Sequence, residues 1–213
     1  MKETLIKLQE RLIDSYGYDK PIFTKEIMLV WAEFSPVRVA QLIKEMTEKG
    51  LLTKYIKGVY YISTITALGR PSYLGFRQVV EKKYIENGDD VYGYYGGLSL
   101  LNSMGLTTQV PSVLEIVTAK ESTRVRQVRI RNSKVILRKA RTVINKENVY
   151  ALAFLEALNE KREGFNKEEI ESLKRFVKYR AVNQKDVFDN AKFFPGKTVK
   201  RLIDIGVDYV FAQ

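Results

Sequence analysis

Among its 213 residues the chain has no cysteine and no histidine. The first absence removes disulfides and thiolate metal sites, and it fits a reducing compartment. The second, taken with the first, removes cysteine–histidine zinc sites and the Ser-His-Asp and Cys-His catalytic systems. Any catalysis would have to rest on carboxylates, Lys, Tyr or Ser. Long apolar runs are also missing: none is long enough to cross a bilayer, and the N-terminal stretch has no signal-peptide core. We therefore expect a cytoplasmic protein with no membrane partner, no metal and no cofactor. Acidic side chains are in deficit, with 25 Asp+Glu against 36 Lys+Arg for a net charge of +11. Hydrophobic residues make up 45% and aromatics 11%, enough for packed cores and against disorder.

The surplus of positive charge is unevenly spread. Residues 1–63 carry 10 basic and 8 acidic side chains, residues 64–145 carry 13 and 6, and residues 146–213 carry 13 and 11. It lies in the middle of the chain, where it favours polyanionic partners without fixing a fold.

Residues 35–62 are the most informative segment. Ser35-Pro36 reads as a helix start, a capping hydroxyl followed by a proline at the first helical position. Val39, Leu42, Ile43 and Met46 then form one apolar stripe, and Gly50 stops the helix. Val37, Arg38, Gln41 and Lys44 fall on or beside the opposite face. Leu51–Tyr55 and Val59–Ser63 read as strands turned over at Ile56-Lys57-Gly58. Upstream, Lys2–Tyr16 places Leu5, Leu8, Leu12 and Ile13 on one helical face. Thr24 is placed to cap a second helix, with Ile27, Val30 and Trp31 inward. Three helices and a hairpin match the winged helix-turn-helix plan.

Thr64 to Pro71 is turn-rich and reads as a linker between a first domain, 1–63, and a second, 72–213. Gly75–Tyr84 is predicted helical, Glu86–Asp90 a polar turn, Leu98–Met104 a buried helix ended by Gly105, and Val113–Thr118 a strand. Thr123–Lys139 is predicted as a hairpin around Asn132-Ser133. Because Arg124 and Arg126 are out of phase with Arg129 and Arg131, a bulge or a strand end is expected near Gln127. Helices follow, marked by Val149, Leu152, Leu155 and Leu158, then by Ile170, Leu173, Phe176 and Val177 with Asn166 and Glu169 as a capping pair. Leu202–Val210 follows a Pro195-Gly196 turn and closes onto the second core. The expected fold is α+β, a winged helix-turn-helix followed by a mixed domain with a basic β-hairpin and C-terminal helices.

Three constellations compete for chemistry in the second domain. The hairpin carries Arg124, Arg126, Arg129, Arg131, Lys134, Arg138, Lys139 and Arg141 with no acid between Thr123 and Ile144, a pattern suited to polyphosphate. The alternative is a solvated face whose arginine stems cover apolar surface. Glu81-Lys82-Lys83 has the E-x-K spacing of metal-dependent nucleases, with Asp89-Asp90 nearby. Nothing acidic stands between Ser63 and Val80 to share the metal, and the segment looks helical. Gly93-Tyr94-Tyr95-Gly96-Gly97 offers tyrosines, with Tyr92, that could stack on bases, against a packing role for the aromatics and tight turns at the glycines.

Several of these blocks resemble a known family. Lys57-Gly58-Val59-Tyr60-Tyr61, Leu68-Gly69, and Gly93 to Gly97 with Asn102 are similar to the abortive-infection AbiEi-type antitoxins. The sharpest block is Gly105-Leu106-Thr107-Thr108-Gln109-Val110-Pro111, followed by Ile116-Val117-Thr118 and Leu137-Arg138-Lys139. The resemblance spans roughly residues 20–155. It implies a bacterial regulator whose winged helix represses its own operon. It also implies a second domain acting as a type IV antitoxin against a nucleotidyltransferase-type toxin, with no stable complex between them. The family supplies no catalytic residues to carry over, and no enzyme activity is expected.

On this reading the DNA-binding residues are Ser35, Val37, Arg38, Gln41 and Lys44 on the recognition helix and Lys54 and Lys57 on the wing. The eight hairpin cations extend the basic surface. The expected partner is double-stranded DNA, the chain's own operator, with RNA as the alternative ligand of the second domain. The sequence leaves the oligomeric state open.

Overall fold

Periodic apolar residues build the first three helices in the computed structural model, which describes residues 2–212. The fold is mixed α+β, with α1 Lys2–Tyr16, β1 Ile22–Phe23, α2 Thr24–Val30, α3 Pro36–Glu48, β2 Thr53–Ile56 and β3 Val59–Tyr61 first in order. The chain divides into two compact units, residues 1–82 and 83–213.

In the first unit, Leu5, Leu8 and Leu12 of α1 meet Ile27, Trp31, Val39, Leu42, Ile43 and Met46 in one core. Trp31 is fully buried, and its indole N–H donates to the Leu8 carbonyl at 3.3 Å, which satisfies the one polar atom that burial strands. The α3 stripe forms as read: all four of its apolar residues are buried. Each such side chain contributes about 1.5–3 kcal/mol. Ser35 caps the helix, its Oγ accepting from the Arg38 N–H, and Gly50 leaves it at φ +71°.

Two features of this unit differ from expectation. Thr24 is the first helical residue of α2 and not its cap; Phe23 holds the cap position, and Glu26 reaches back to accept the Phe23 N–H at 2.7 Å. The hairpin also gains a third strand. β1 pairs antiparallel with β3, giving the order β1-β3-β2, with Ile22 opposite Tyr60 and Phe23 opposite Val59. Two residues are too few to carry an alternating pattern, so β1 is visible only through its partner.

Thr64–Pro71, read above as a linker, is a closed loop within the first unit. Ile65 bridges Pro71, and the Ser72 N–H donates to the Thr64 carbonyl at 2.8 Å. Its base is tied to Asp19, whose carboxylate accepts from Thr64 Oγ1 at 2.6 Å and from Ser72 Oγ. α4, Phe76–Tyr84, follows. Its Lys82 turns inward to the Glu26 carboxylate at 2.9 Å and the Pro21 carbonyl at 2.6 Å.

The second unit opens with a small hairpin, β4 Glu86–Asn87 and β5 Asp90–Val91, in the stretch expected to be only a turn. A four-stranded sheet follows from β6 Gly93–Gly96, β7 Leu114–Thr118, β8 Val125–Ile130 and β9 Ser133–Lys139, in the order β6-β7-β9-β8. β7 and β9 run parallel; the other pairs are antiparallel. α5, Gly97–Ser103, connects β6 to the loop before β7. α6, Val149–Glu160, is buried at Val149 and from Ala151 through Asn159, and packs with Tyr94, Val117 and the later helices. Around it lie α7 Lys167–Tyr179, α8 Gln184–Ala191, α9 Gly196–Asp204 and α10 Val207–Phe211. α7 carries the expected capping pair: Glu169 N–H donates to Asn166 Oδ1 at 2.9 Å, and Asn166 N–H returns to Glu169 at 3.1 Å. Among the described residues no helix is long and apolar enough to cross a membrane.

Candidate nucleic-acid interface

At 100° per residue, the buried stripe of α3 leaves Val37, Gln41, Lys44 and Glu48 within an arc of roughly 60° on the opposite side, with Arg38 on the flank. Ser35, Val37, Arg38, Gln41 and Lys44 are all exposed. No acidic residue occupies the first turn of α3. Its carboxylates come later and are drawn toward lysines, Glu45 to Lys49 at 2.7 Å and Glu48 to Lys44 at 3.9 Å. The hydrogen bond from Lys49 holds the Glu45 carboxyl below its ordinary range. The first turns of the helix therefore present one guanidinium, one amide and one apolar side chain, with Glu45 near enough to Arg38 for their charges to attract. Arg38 Nη1 donates to Gln41 Oε1 at 3.3 Å, so the two polar side chains act as a pair.

On the hairpin beside it, Lys54 and Lys57 are exposed and have no acidic partner among the described residues. Lys57 stands in the tight turn with Gly58, which adopts φ +80°. The Gly58 carbonyl accepts the Thr24 N–H at 3.1 Å, which fixes the turn to the start of α2. All seven residues expected to bind DNA are exposed: Ser35 at the cap of α3, Val37, Gln41 and Lys44 on its outer arc, Arg38 on the flank, and Lys54 and Lys57 on the hairpin.

The eight cations of the second unit are arranged differently from expectation. β8 and β9 pair without a register shift from Val125–Arg138 to Ile130–Ser133, so the expected bulge near Gln127 is absent. The turn is Arg131–Asn132, one residue earlier than Asn132-Ser133, with Arg131 at φ +51°. In an unbroken ladder successive side chains alternate. Arg124, Arg126 and Lys139 therefore share one face of the sheet, while Arg129, Lys134 and Arg138 share the other. The cations do not make one continuous basic track.

Three of the eight are also held by carboxylates from elsewhere in the sequence. Arg126 Nε donates to Glu121 at 2.7 Å, and Arg138 bridges Glu115 at 2.8 Å and Glu160 at 3.0 Å. Arg141 lies 3.4 Å from Glu156 and over the Phe194 ring at 5.1 Å. Glu121 additionally accepts from Thr123 N–H and Oγ1, and these bonds with Arg126 draw its carboxyl down to about 2. Burial pushes the Glu156 carboxyl up against the opposing pull of Arg141, and the neighbouring Glu160 adds to the rise. Among the described residues, Arg124, Arg129, Lys134 and Lys139 are exposed and have no acidic partner. Arg129 stands directly opposite Lys134. Like charges facing across a ladder are destabilising, and a bound polyanion relieves that repulsion.

Sequence reasoning missed Glu115, Glu156 and Glu160 because each lies on another element, and Glu121 because it stands just outside the acid-free run. It also missed the cations at the end of α6: Lys197 Nζ donates to the Asn159 carbonyl at 2.9 Å, and Arg201 to those of Leu158 and Arg162 at 2.7 and 3.0 Å. These satisfy carbonyls at and just beyond the buried end of α6, where intrahelical donors run out.

The glycine-tyrosine segment is a packing device. Tyr94 is buried, and burial beside Glu156 raises its hydroxyl pKa. A Cβ on Gly93 would fall 2.1 Å from the Tyr84 carbonyl oxygen, and one on Gly97, at φ +51°, would fall 2.3 Å from Glu115 Oε1. In the E-x-K stretch Lys82 is committed to Glu26. Among the described residues no three carboxylates gather to hold a metal ion.

No protein-family model matches the chain, and no curated protein matches it either.

Proposed function

We propose that the chain is a DNA-binding transcriptional repressor whose first unit is a winged helix-turn-helix. The observation that carries this reading is the front of α3, where Val37, Arg38 and Gln41 are exposed, with no acidic residue in the first turn, on a helix whose back is fully packed. An α-helix fits the major groove of DNA, and its N-terminal residues approach the base edges. Lys44, Lys54 and Lys57 hold phosphates, setting register without choosing sequence. β1 supports the plan as the third strand of the small sheet, paired beside β3 of the hairpin. From the resemblance comes the rest of the proposal: the operator lies in the chain's own upstream region, and the protein acts in the cytoplasm as antitoxin to a nucleotidyltransferase-type toxin. The reading assigns no catalytic step.

The test is a mobility-shift titration of the full chain on its own upstream DNA. Specific binding with a retained complex in excess random DNA supports the proposal; equal affinity for both DNAs refutes repression. A second reading, RNA bound by the second unit, is favoured by the unrelieved pair Arg129 and Lys134. Competition between structured RNA and operator DNA separates the two. Incubation of DNA and RNA with Mg²⁺ or Mn²⁺ tests the nuclease alternative.

A further inference from the structure

Val37 is the most telling side chain on α3 that charge does not explain. It is 70% exposed, β-branched, and sits in the first helical turn at the centre of the exposed arc. Ala40, exposed one turn on, extends the apolar edge along the helix. A single exposed valine is common on protein surfaces. This one lies between the cap residue Ser35 and the pair Arg38–Gln41, where a helix in the major groove comes nearest to the bases. The one apolar group that a base pair presents there is the thymine 5-methyl.

Arg38 and Gln41 complete the pattern. The bond from Arg38 Nη1 occupies Gln41 Oε1, which weakens Gln41 as an independent reader of adenine, since that contact uses the same oxygen. The same bond restricts the guanidinium, leaving its remaining N–H groups for guanine O6 and N7.

We infer that Val37 reads a thymine methyl group in the operator, beside a guanine read by Arg38 with Gln41 as its positioning residue. This rests on the DNA-binding reading above and specifies the sequence chemistry which that reading leaves open. The operator then contains a thymine and a guanine at neighbouring base pairs, and the protein discriminates thymine from uracil at that step.

The test begins with the full chain and a pool of duplexes randomised over about two helical turns. A selected duplex is remade with 2′-deoxyuridine in place of each thymine in turn. At one position the replacement weakens the wild-type complex about fourfold, the factor that one methyl removed from water commands. The Val37→Ala protein, altered at an exposed site, shows no loss at that position. At the neighbouring guanine, 7-deazaguanine weakens the wild type and leaves Arg38→Ala unaffected. Gln41→Leu reduces the 7-deazaguanine effect, and Gln41→Glu, which keeps the acceptor oxygen, restores it. Duplex binding with no uracil effect, or with the same effect in Val37→Ala, overturns this inference and leaves the DNA-binding reading standing. Absence of any duplex binding overturns both.

Discussion

The Cα of Gly93 lies against the carbonyl of Tyr84 so closely that a Cβ would stand 2.1 Å from the oxygen. The same Cβ would stand 2.9 Å from the Val117 carbonyl on the neighbouring strand. Both obstacles are backbone and neither can rotate away. Gly93→Ala is therefore expected to destabilise the protein by at least about 2 kcal/mol, the range in which overpacking forces backbone shifts. Gly69→Ala, where only the positive φ is violated and nothing lies within 4 Å, should cost less. Urea denaturation of the two variants, compared at constant m, checks the order.

Acid stability should depend on two carboxylates. In the folded protein Glu121 titrates at about 2, held down by Thr123 and Arg126, against roughly 4.3 in an unfolded chain. Burial pushes the Asp19 carboxyl up, and the hydrogen bonds from Ser72 and Thr64 outweigh it, so that carboxyl also falls below its ordinary value. A depressed carboxyl pKa gives stability that is complete above the unfolded value and is lost as pH falls toward the folded one. Glu121→Gln should therefore flatten the stability profile between about pH 4 and pH 2 while altering little of its slope near neutrality. A wild-type slope in that window, measured by thermal unfolding, would contradict the assignment.

Glu156 should act in the opposite direction. Its carboxyl pKa is raised by burial, so its proton is held more tightly in the folded state than in the unfolded one. Its contribution is complete below the unfolded value and declines as pH rises toward the folded value. Glu156→Gln should thus be least disruptive near neutral pH and most disruptive in acid, relative to wild type at each pH. The measurement is the difference in melting temperature across a pH series.

Arg138 and Arg129 share a sheet face and have different fates. Arg138→Ala removes the bridge between Glu115 and Glu160 at a partly buried site and should cost about 1–3 kcal/mol of stability. Arg129→Ala removes an exposed cation facing Lys134 and should change stability by no more than about 0.5 kcal/mol. If the second unit binds a polyanion, Arg129→Ala weakens that binding and Arg138→Ala does so only through folding. Paired denaturation and filter-binding curves separate the two effects.

Salt dependence should be modest for a nucleic-acid binder of such basic composition. Lys44, Lys54 and Lys57 can neutralise about three phosphates per chain, giving a log–log slope near −3. A slope near −7 or steeper would mean that the hairpin cations also engage the DNA. Ser35→Ala should cost about 1 kcal/mol of stability through the lost cap.

Local signals carried much of the fold. α1 occupies the span its leucine spacing predicts, and α3 starts at the Ser-Pro pair and ends before Gly50. α7 begins at the Asn166–Glu169 box. Each signal is complete within one or two helical turns, and so it survives in the linear sequence. β1 and α8 left no comparable trace, the first because two residues have no period and the second because only two of its residues, Val187 and Ala191, are buried.

The exposed face of α3 was likewise readable, since burial of one stripe fixes what the opposite side presents. The sequence by itself therefore determined the α+β class, the helix boundaries with their own caps, and the polar front of α3. The fate of the hairpin arginines was decided elsewhere. Residue spacing showed a run of cations without acids, but Glu115, Glu156 and Glu160 reach Arg138 and Arg141 from other elements, while Glu121 holds Arg126 from the loop just ahead of β8. Which cation finds a carboxylate, and which sheet face each one takes, depends on register and on packing against α6. Those are long-range choices, and only the tertiary structure makes them, because charge acts through space and a sequence records separation along the chain alone.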